Sequence, residues 1–139
     1  MHPSVIARKS PDKPAVIMAS TGETVTFGEL DTRSNRGAQL FRSLGLQVVD
    51  GVAIFMENNA RFHEICWAAQ RAGLYFTAIS SRLTAGEVEY IVKDSGAKVL
   101  IVGHTLARVA GEVAPLVPGV TLLTVGGTVP GYASYEDEA

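Results

Sequence analysis

The chain has 139 residues, of which 47% are hydrophobic and 19% are charged, and its formal net charge is −2. This composition is that of one globular domain, and with no charge block beyond the terminal YEDEA it argues against a disordered tail, nucleic-acid binding and an anionic membrane surface. A single cysteine excludes an internal disulfide, and the apolar runs fall far short of the ~20 residues of a membrane span, so we expect a cytoplasmic protein without a transmembrane segment.

The N-terminal part predicts a β-hairpin followed by a helix. Strand-like runs at 15–19 and 24–27 are joined by STGE, which carries a turn glycine. Thr26 stands three residues before Glu29, the spacing of a capping box in which each side chain bonds the other residue's backbone N–H. The helix that follows is expected to run to about Leu44, where Gly45 provides a left-handed cap.

From residue 52 the pattern becomes periodic. Strand-like runs begin every 23 residues, near Val52, Tyr75, Lys98 and Thr121. Between them lie apolar residues at helical spacing: Phe62, Ile65, Cys66, Ala69 and Ala72; then Val88, Ile91 and Val92; then Leu106, Val109, Ala110, Val113 and Ala114. A second capping box, Thr84 with Glu87, opens the middle helix.

Strand–helix alternation predicts an α/β fold with a mainly parallel, Rossmann-like sheet, flanking helices and the N-terminal hairpin, all in one domain spanning 1–139. Runs such as VAIFM and VLIV are apolar without alternation, as strands buried on both faces are. A 23-residue period also occurs in leucine-rich repeats, but these units share only their length.

Ligands of such sheets bind at the carboxyl ends of the strands. Four loops are expected there: 57–59, 80–82, 103–105 and 126–128. The ligand-facing candidates in them are Asn58, Ser80, Ser81, Arg82 and His104. The 80–82 loop is the most suggestive, because two hydroxyls and a guanidinium precede a helix N-terminus, where anions are stabilised. The alternative is a helix lead-in with a solvated arginine.

The remaining motifs favour structural roles, and no catalytic or metal-binding residue is predicted. His63-Glu64 begins the zinc motif His-Glu-x-x-His, but Trp67 replaces the second histidine, so a solvated helix face is the better interpretation. Cys66 lies on the apolar face and is expected to be a buried, inert thiol. The Gly126-Gly127-Thr128 loop lacks the lysine of a phosphate loop.

Three stretches, taken in order, resemble the N-terminal portion of the adenylate-forming acyl-CoA synthetases. They are VTFGELDTRSNRGAQLFRSLGL, VAIFMENNARFHEICWAAQRAG and GLYFTAISSRLTAGEVEYIVKDSGAKVLIV. The GLYFTAI form is most similar to fatty-acyl-CoA ligases of actinobacterial type. Several positions depart from the family pattern. Many relatives have a proline where Thr77 or Ala78 stands and an asparagine near Ser80. Arg82 replaces a histidine of the most similar forms, and Val49 replaces a glycine, which is expected to change only a turn.

The resemblance implies that residues 1–139 are the first subdomain of a fatty-acid–CoA ligase, ending before the ATP phosphate loop. Such an enzyme uses ATP, Mg²⁺ and CoA: a fatty acid or other carboxylate forms an acyl-adenylate and pyrophosphate, and CoA then displaces AMP. The loop closing with Pro-Lys-Gly is not among these residues. The chain alone is therefore expected to be inactive and to bind none of these molecules tightly.

Two alternatives and one further expectation remain open. An acyl-AMP ligase, which hands its adenylate to a carrier protein, has the same kind of N-terminal part. A stand-alone, non-catalytic module that binds a small ligand or a partner also fits the residues. Because about four helices cannot cover both faces of six strands, we further expect the chain to self-associate.

Overall fold

The computed structural model describes residues 2–139, which form six α-helices and seven strands. The helices are α1 (Pro3–Lys9), α2 (Phe27–Ser43), α3 (Ala60–Arg71), α4 (Ala85–Ser95), α5 (Ala107–Val113) and α6 (Tyr135–Glu138). The strands are β1 (Pro14–Ile17), β2 (Thr24–Thr26), β3 (Gly51–Phe55), β4 (Tyr75–Ile79), β5 (Ala97–Gly103), β6 (Thr121–Val125) and β7 (Ala133–Ser134). Short 3₁₀ turns follow β5 and α5.

The strands form two sheets. β1 and β2 pair as the predicted antiparallel hairpin, and the other five form a parallel sheet in the order β4-β3-β5-β6-β7. The four predicted strands begin within one residue of their expected positions. The mainly parallel α/β fold is thus confirmed, whereas α1, β7 and α6 are elements that the sequence patterns did not indicate.

Helices cover both faces of the parallel sheet. α2 and α3 pack on the face formed by Val52, Ile54, Val99 and Ile101. α4 and α5 pack on the opposite face, formed by Ala53, Phe55, Leu100 and Val102. All eight side chains are at most 1% exposed. Burial of a side chain of this size stabilises the fold by about 1.5–3 kcal/mol, so β3 and β5 form the centre of the core.

The two predicted capping boxes differ in the structure. At α4, the Thr84 Oγ1 accepts from the Glu87 N–H while the Glu87 carboxylate accepts from the Thr84 N–H, as predicted. At α2, the Thr26 Oγ1 accepts from the Glu29 N–H at 3.1 Å, but the reciprocal bond is not made. The Glu29 carboxylate pairs instead with Arg33 at 3.2 Å, and Thr26 is also the last residue of β2.

A turn with unusual backbone geometry leads into β3. Val49 has φ of +69°, and it is the one non-glycine residue of 2–139 in the left-handed region. A β-branched side chain is strained in this conformation. Val49 is therefore expected to affect the stability of the chain as well as the shape of the turn.

Within residues 2–139, no helix combines the length and the apolar character needed to cross a bilayer.

Candidate functional site: the carboxyl edge of the sheet

The four predicted loops do lie along one edge of the sheet. In parallel strands the carboxyl ends point the same way, so the strand order places the loops in the spatial sequence 80–82, 57–59, 103–105 and 126–128. The 57–59 loop follows β3 and the 103–105 loop follows the adjacent β5. These two central loops therefore have a neighbouring loop on either side.

The chain reverses its winding between β3 and β5. After β3 it enters α3, which packs on the face shared with α2. After β5 it enters α5, which packs on the opposite face beside α4. Because the two loops diverge to opposite faces, a crevice opens between the ends of β3 and β5. Such a topological switch point is where open α/β sheets bind ligands.

A cleft of about 320 Å³ occupies this crevice and is called here the switch-point cleft. Its lining comes from the last residues of β5 and β6, the loops after β3, β5 and β6, the first two residues of α3, and one residue each from the hairpin turn and α6. The lining residues are Glu23, Glu57, Asn58, Asn59, Ala60, Arg61, Gly103, His104, Thr105, Val125, Gly126 and Glu136. Three of these side chains are carboxylates and one is a guanidinium. The balance of charge is acidic and disfavours a phosphate chain in this cleft.

His104 packs against the glycine loop. A Cβ at Gly126 would lie 2.8 Å from the His104 Nδ1, and one at Gly127 would lie 2.7 Å from the His104 ring. The Gly126 N–H donates to the Glu136 carboxylate at 2.7 Å. This backbone donor is thus occupied by a carboxylate, and the loop packs against the imidazole instead of cradling phosphate.

A second, wider cleft of about 610 Å³ lies between the loops after β3 and β4, and is called here the β4-side cleft. Its lining residues are Met56, Glu57, Asn58, Phe62, Ala78, Ile79, Ser80, Ser81 and Arg82. The Arg82 N–H donates to the Ser80 Oγ at 3.4 Å, which folds the loop back on itself before α4. Among residues 2–139, none makes an ion pair with the Arg82 guanidinium.

The structure therefore divides the five candidate residues. Ser80, Ser81 and Arg82 line the β4-side cleft, whereas His104 lines the switch-point cleft. Asn58 lines both, because it lies at the end of β3 between them. The neighbouring Asn59 has a structural role, since its Oδ1 accepts from the Arg61 N–H at 2.8 Å and caps α3.

One residue was misassigned from the sequence. Glu64 was expected on a solvated helix face, yet it is only 3% exposed. Its carboxylate pairs with the Arg61 guanidinium at 3.1 Å, and burial raises its pKa, an effect that Arg61 partly opposes. Arg33 and Arg36 of α2 and Tyr135 and Glu136 of α6 line the same small cavity as Glu64, and no periodicity in α3 itself signals these neighbours. His63, by contrast, is exposed as expected.

Cys66 lies on the predicted apolar face of α3, but it is less enclosed than predicted. It is half-buried against the core between α2, α3 and the sheet. Burial raises the pKa of its thiol to about 11, which leaves little thiolate at neutral pH. This residue is therefore a packing element of α3.

Sequence reasoning also missed Glu136, whose role depends on distant parts of the chain. Its carboxylate accepts from the Gly126 N–H and from the Ser134 hydroxyl, at 2.7 and 3.2 Å. The YEDEA segment appeared only as a terminal charge run. The contact forms because β7 pairs with β6, a short two-residue ladder that no sequence pattern indicates.

A bound Mg²⁺–ATP does not fit the part of the chain that the structure describes. In residues 2–139 no three His, Cys, Asp or Glu side chains are grouped so that they could hold a metal ion. The acidic lining of the switch-point cleft and the engaged Gly126 N–H likewise disfavour phosphate. The residues present fit a supporting wall of a ligand site better than its phosphate-binding part.

The chain is similar to known proteins in sequence and in structure. A sequence model of the family described as AMP-binding enzyme matches residues 4–138. The chain is 35% identical over 103 residues to the long-chain-fatty-acid–CoA ligase FadD13 of Mycobacterium tuberculosis, covering 74% of this chain and 20% of the relative. It is 32% identical over 120 residues to the fatty acid–[acyl-carrier-protein] ligase ScoC of Streptomyces coeruleorubidus, covering 86% of this chain and 22% of the relative.

A solved structure also shares this fold. A structure described as a putative long-chain-fatty-acid CoA ligase from Rhodopseudomonas palustris superimposes with a TM-score of 0.88 at 24% identity, covering 99% of this chain and 35% of the other. The chain spans about a fifth of the length of the curated relatives named here. Because the family match covers nearly every residue, this chain belongs to the family of AMP-binding enzymes, the adenylate-forming ligases.

Proposed function

We propose that this chain is the N-terminal subdomain of a fatty-acid–CoA ligase. The observation that carries the proposal is the family match over residues 4–138, joined by the similarity to a fatty-acid–CoA ligase over 74% of the chain. The parent enzyme would use ATP with Mg²⁺ to convert a carboxylate to an acyl-adenylate, releasing pyrophosphate. The CoA sulfur would then form a bond to the acyl carbon as the bond to AMP breaks.

In this proposal the carboxyl edge of the sheet faces the ligands of the parent enzyme. Asn58, Ser80 and Ser81 offer an amide and two hydroxyls to polar ligand groups, and Arg82 offers a cation that has no ion-pair partner within residues 2–139. His104 offers an imidazole beside the glycine loop. These are binding roles; the chemical step is assigned to residues of the parent outside this chain.

The 139-residue chain by itself is expected to be inactive. It lacks a Pro-Lys-Gly phosphate loop, and its switch-point cleft is acidic. The purified chain should therefore not catalyse fatty-acid-dependent exchange of pyrophosphate into ATP above a heat-killed control. Exchange that is abolished by His104→Ala or Arg82→Ala would place the active centre within these residues and contradict this part of the proposal.

The parent activity is tested on the full product of the reading frame that contains these residues. Incubated with ATP, Mg²⁺, a long-chain fatty acid and CoA, it should form acyl-CoA and AMP, both detected by mass spectrometry. A matched control omits CoA, and only the adenylate should then accumulate. No acyl-CoA and no adenylate from any fatty acid would contradict the proposal.

An acyl-AMP ligase is a second candidate, favoured by the similarity to the fatty acid–[acyl-carrier-protein] ligase over 86% of the chain. In that case the same assay would yield adenylate without acyl-CoA, and an acyl carrier protein would accept the acyl group in place of CoA. A non-catalytic, stand-alone module is a third candidate. A stop codon directly after Ala139 would favour it over both ligases.

We also propose that the 139-residue chain is a cytoplasmic protein that associates with itself. A lone half-buried cysteine with a raised thiol pKa suits a reducing compartment. Large apolar side chains remain exposed on the described surface, among them Tyr75, Phe76 and Tyr90. When such surfaces associate, apolar area is removed from water, and this removal is favourable.

A further inference from the structure

The outer edge of β4 is open to pairing with another strand. β4 lies at one end of the parallel sheet and pairs only with β3. Its other edge therefore presents backbone N–H and C=O groups that no strand of the described chain satisfies. Such an edge is a template for strand addition unless the protein blocks it.

β4 carries none of the features that usually block an edge. Its sequence, Tyr-Phe-Thr-Ala-Ile, has no lysine, other charged residue, proline or glycine. Its five residues pair with β3 in unbroken register, without a bulge. The opposite edge differs, because β7 has only two residues and leads directly into α6. Of the two edges, β4 is therefore the one that can pair with a further strand.

Both faces of β4 are incompletely covered. Tyr75 is on the α4 face and is 69% exposed, whereas Phe76 is on the α3 face and is 44% exposed. At the start of the strand, Val48 and Val49 are also exposed, and the Val49 N–H donates to the Gly73 carbonyl at 2.8 Å, which places these valines beside β4. Exposed apolar side chains thus lie on both faces of β4 and at its amino-terminal end.

We propose that this edge pairs, antiparallel, with the same edge of a second copy of the chain. The inference rests on the self-association proposed above and assigns its surface and register. Two identical strands related by a two-fold axis perpendicular to the sheet run antiparallel, and this makes one continuous sheet of ten strands.

The side chains favour an axis through Thr77. In that register Phe76 lies opposite Ala78 of the other copy, so that a large ring meets a methyl group. Tyr75 lies opposite Ile79, whose side chain is 4% exposed and already packed with Val88 and Val92 of α4, so the pairing there newly covers the tyrosine ring only. Thr77 meets its own copy, and two threonine hydroxyls can bond across the axis. No charged side chain meets itself, so no like-charge repulsion opposes the pairing.

The exposed area predicts a weak dimer. Tyr75 and Phe76 together leave roughly 200 Å² of aromatic surface exposed. With the two valines and the backbone edge, the interface stays below the ~800 Å² per partner of a standard stable complex. We therefore expect a dimer that forms in the range of about 1 to 100 µM and dissociates below it.

Sedimentation velocity over that range, with one pair of matched variants, tests the surface. Tyr75→Lys places a lysine at the edge, and Tyr90→Lys makes the same change on the outer side of α4, where Tyr90 is 68% exposed among Gly86, Glu89, Lys93 and Asp94. Tyr75→Lys should raise the dimer dissociation constant by about tenfold or more. The dimer would lose the contacts of both Tyr75 rings, and it would carry two lysines close to its two-fold axis. Tyr90→Lys should leave it unchanged.

Disulfide trapping tests the register. In a Cys66→Ala background, Thr77→Cys places two thiols across the axis, at the ~4.5–5.5 Å Cβ separation of directly opposed residues, which is near disulfide range. Mild oxidation should convert most of this variant to a covalent dimer. Tyr90→Cys in the same background should remain largely monomeric.

Four results would overturn the inference. A single monomeric species at every concentration would reject both the self-association and its surface. A dimer that Tyr75→Lys leaves intact, or that cross-links through position 90 in preference to 77, would reject the surface alone. In the full-length parent, protection of Thr77→Cys from alkylation at nanomolar concentration would assign the edge to an intramolecular strand. None of these results bears on acyl-CoA formation by the parent, which is tested separately.

Discussion

The ring of Tyr135 ends in the space beside Gly37. A Cβ at Gly37 would overlap the Tyr135 hydroxyl and would lie 2.7 Å from the Ala68 Cβ. Gly37 is thus the point at which α2, α3 and the tyrosine from α6 meet, although Gly37 and Tyr135 are 98 residues apart in the chain. The Tyr135 side chain is 1% exposed, and its hydroxyl has no hydrogen-bond partner among the described residues.

Gly37→Ala should therefore destabilise the chain, although alanine is the better helix former by about 1 kcal/mol. Overpacking a closed interface costs about 1–3 kcal/mol, and the tyrosine ring must also move, so we expect a net loss of about 1–2 kcal/mol in urea denaturation. Gly111→Ala is the matched control, because Gly111 lies inside α5 with open space around its Cβ position. This control should gain about 0.5–1 kcal/mol. A gain from both changes would show that the Gly37 contact is not tight.

Val49→Gly should stabilise the chain. The left-handed conformation of Val49 costs about 1–2 kcal/mol for an L-residue and nothing for glycine, while glycine loses more entropy on folding. We expect a net gain of about 0.5–1 kcal/mol, measured by denaturation at sub-micromolar concentration, where no dimer contributes. Val48→Gly, at the preceding and equally exposed valine, should destabilise because no strain is relieved. A lower unfolding free energy for Val49→Gly would show that the backbone at this turn is not strained.

The buried Glu64 carboxyl predicts a pH-dependent stability difference. Because burial raises its pKa, the folded chain holds this proton more tightly than the unfolded chain does. Its contribution to stability is therefore present at low pH and declines as the pH rises through the ordinary glutamate range toward the folded pKa. Glu64→Gln lacks this decline. The unfolding free energy of Glu64→Gln minus that of the unsubstituted chain should thus increase from about pH 4 to pH 7. A difference that stays flat or falls would contradict the raised pKa.

The thiol of Cys66 should react slowly in the folded chain. Its pKa of about 11 leaves roughly one thiolate in a thousand at pH 8. We expect alkylation by iodoacetamide to be about a hundredfold slower in buffer than in denaturing urea, where an ordinary thiol pKa near 8.5 is restored. Tyr90→Cys in the Cys66→Ala background supplies an exposed thiol as control. Equal folded and unfolded rates for Cys66 would exclude burial as the controlling factor.

Local patterns were sufficient for the hairpin and for the alternating strands and helices between residues 51 and 125, but not for α1, β7 and α6. The four strands of the periodic region start within one residue of the predicted positions, because continuous apolar runs and intervening helical spacing are properties of contiguous residues. The Thr84–Glu87 box is equally local and forms as predicted. The candidate loops follow from the same reasoning, since carboxyl ends of parallel strands share one edge.

Tertiary structure alone decided which residues meet. Tyr135 packs against Gly37 of α2, and Glu136 accepts a hydrogen bond from the Gly126 N–H after β6. Both residues follow β7, whose two-residue pairing with β6 leaves no periodic signal. The division of the candidates between two clefts depends on α3 and α5 leaving the sheet toward opposite faces, a choice that neither helix's sequence encodes alone. The spacing of apolar residues in a helix or strand indicates only that one of its faces is apolar. Which surface covers that face is set by the packing of segments distant in the chain, and this packing also leaves the β4 edge open.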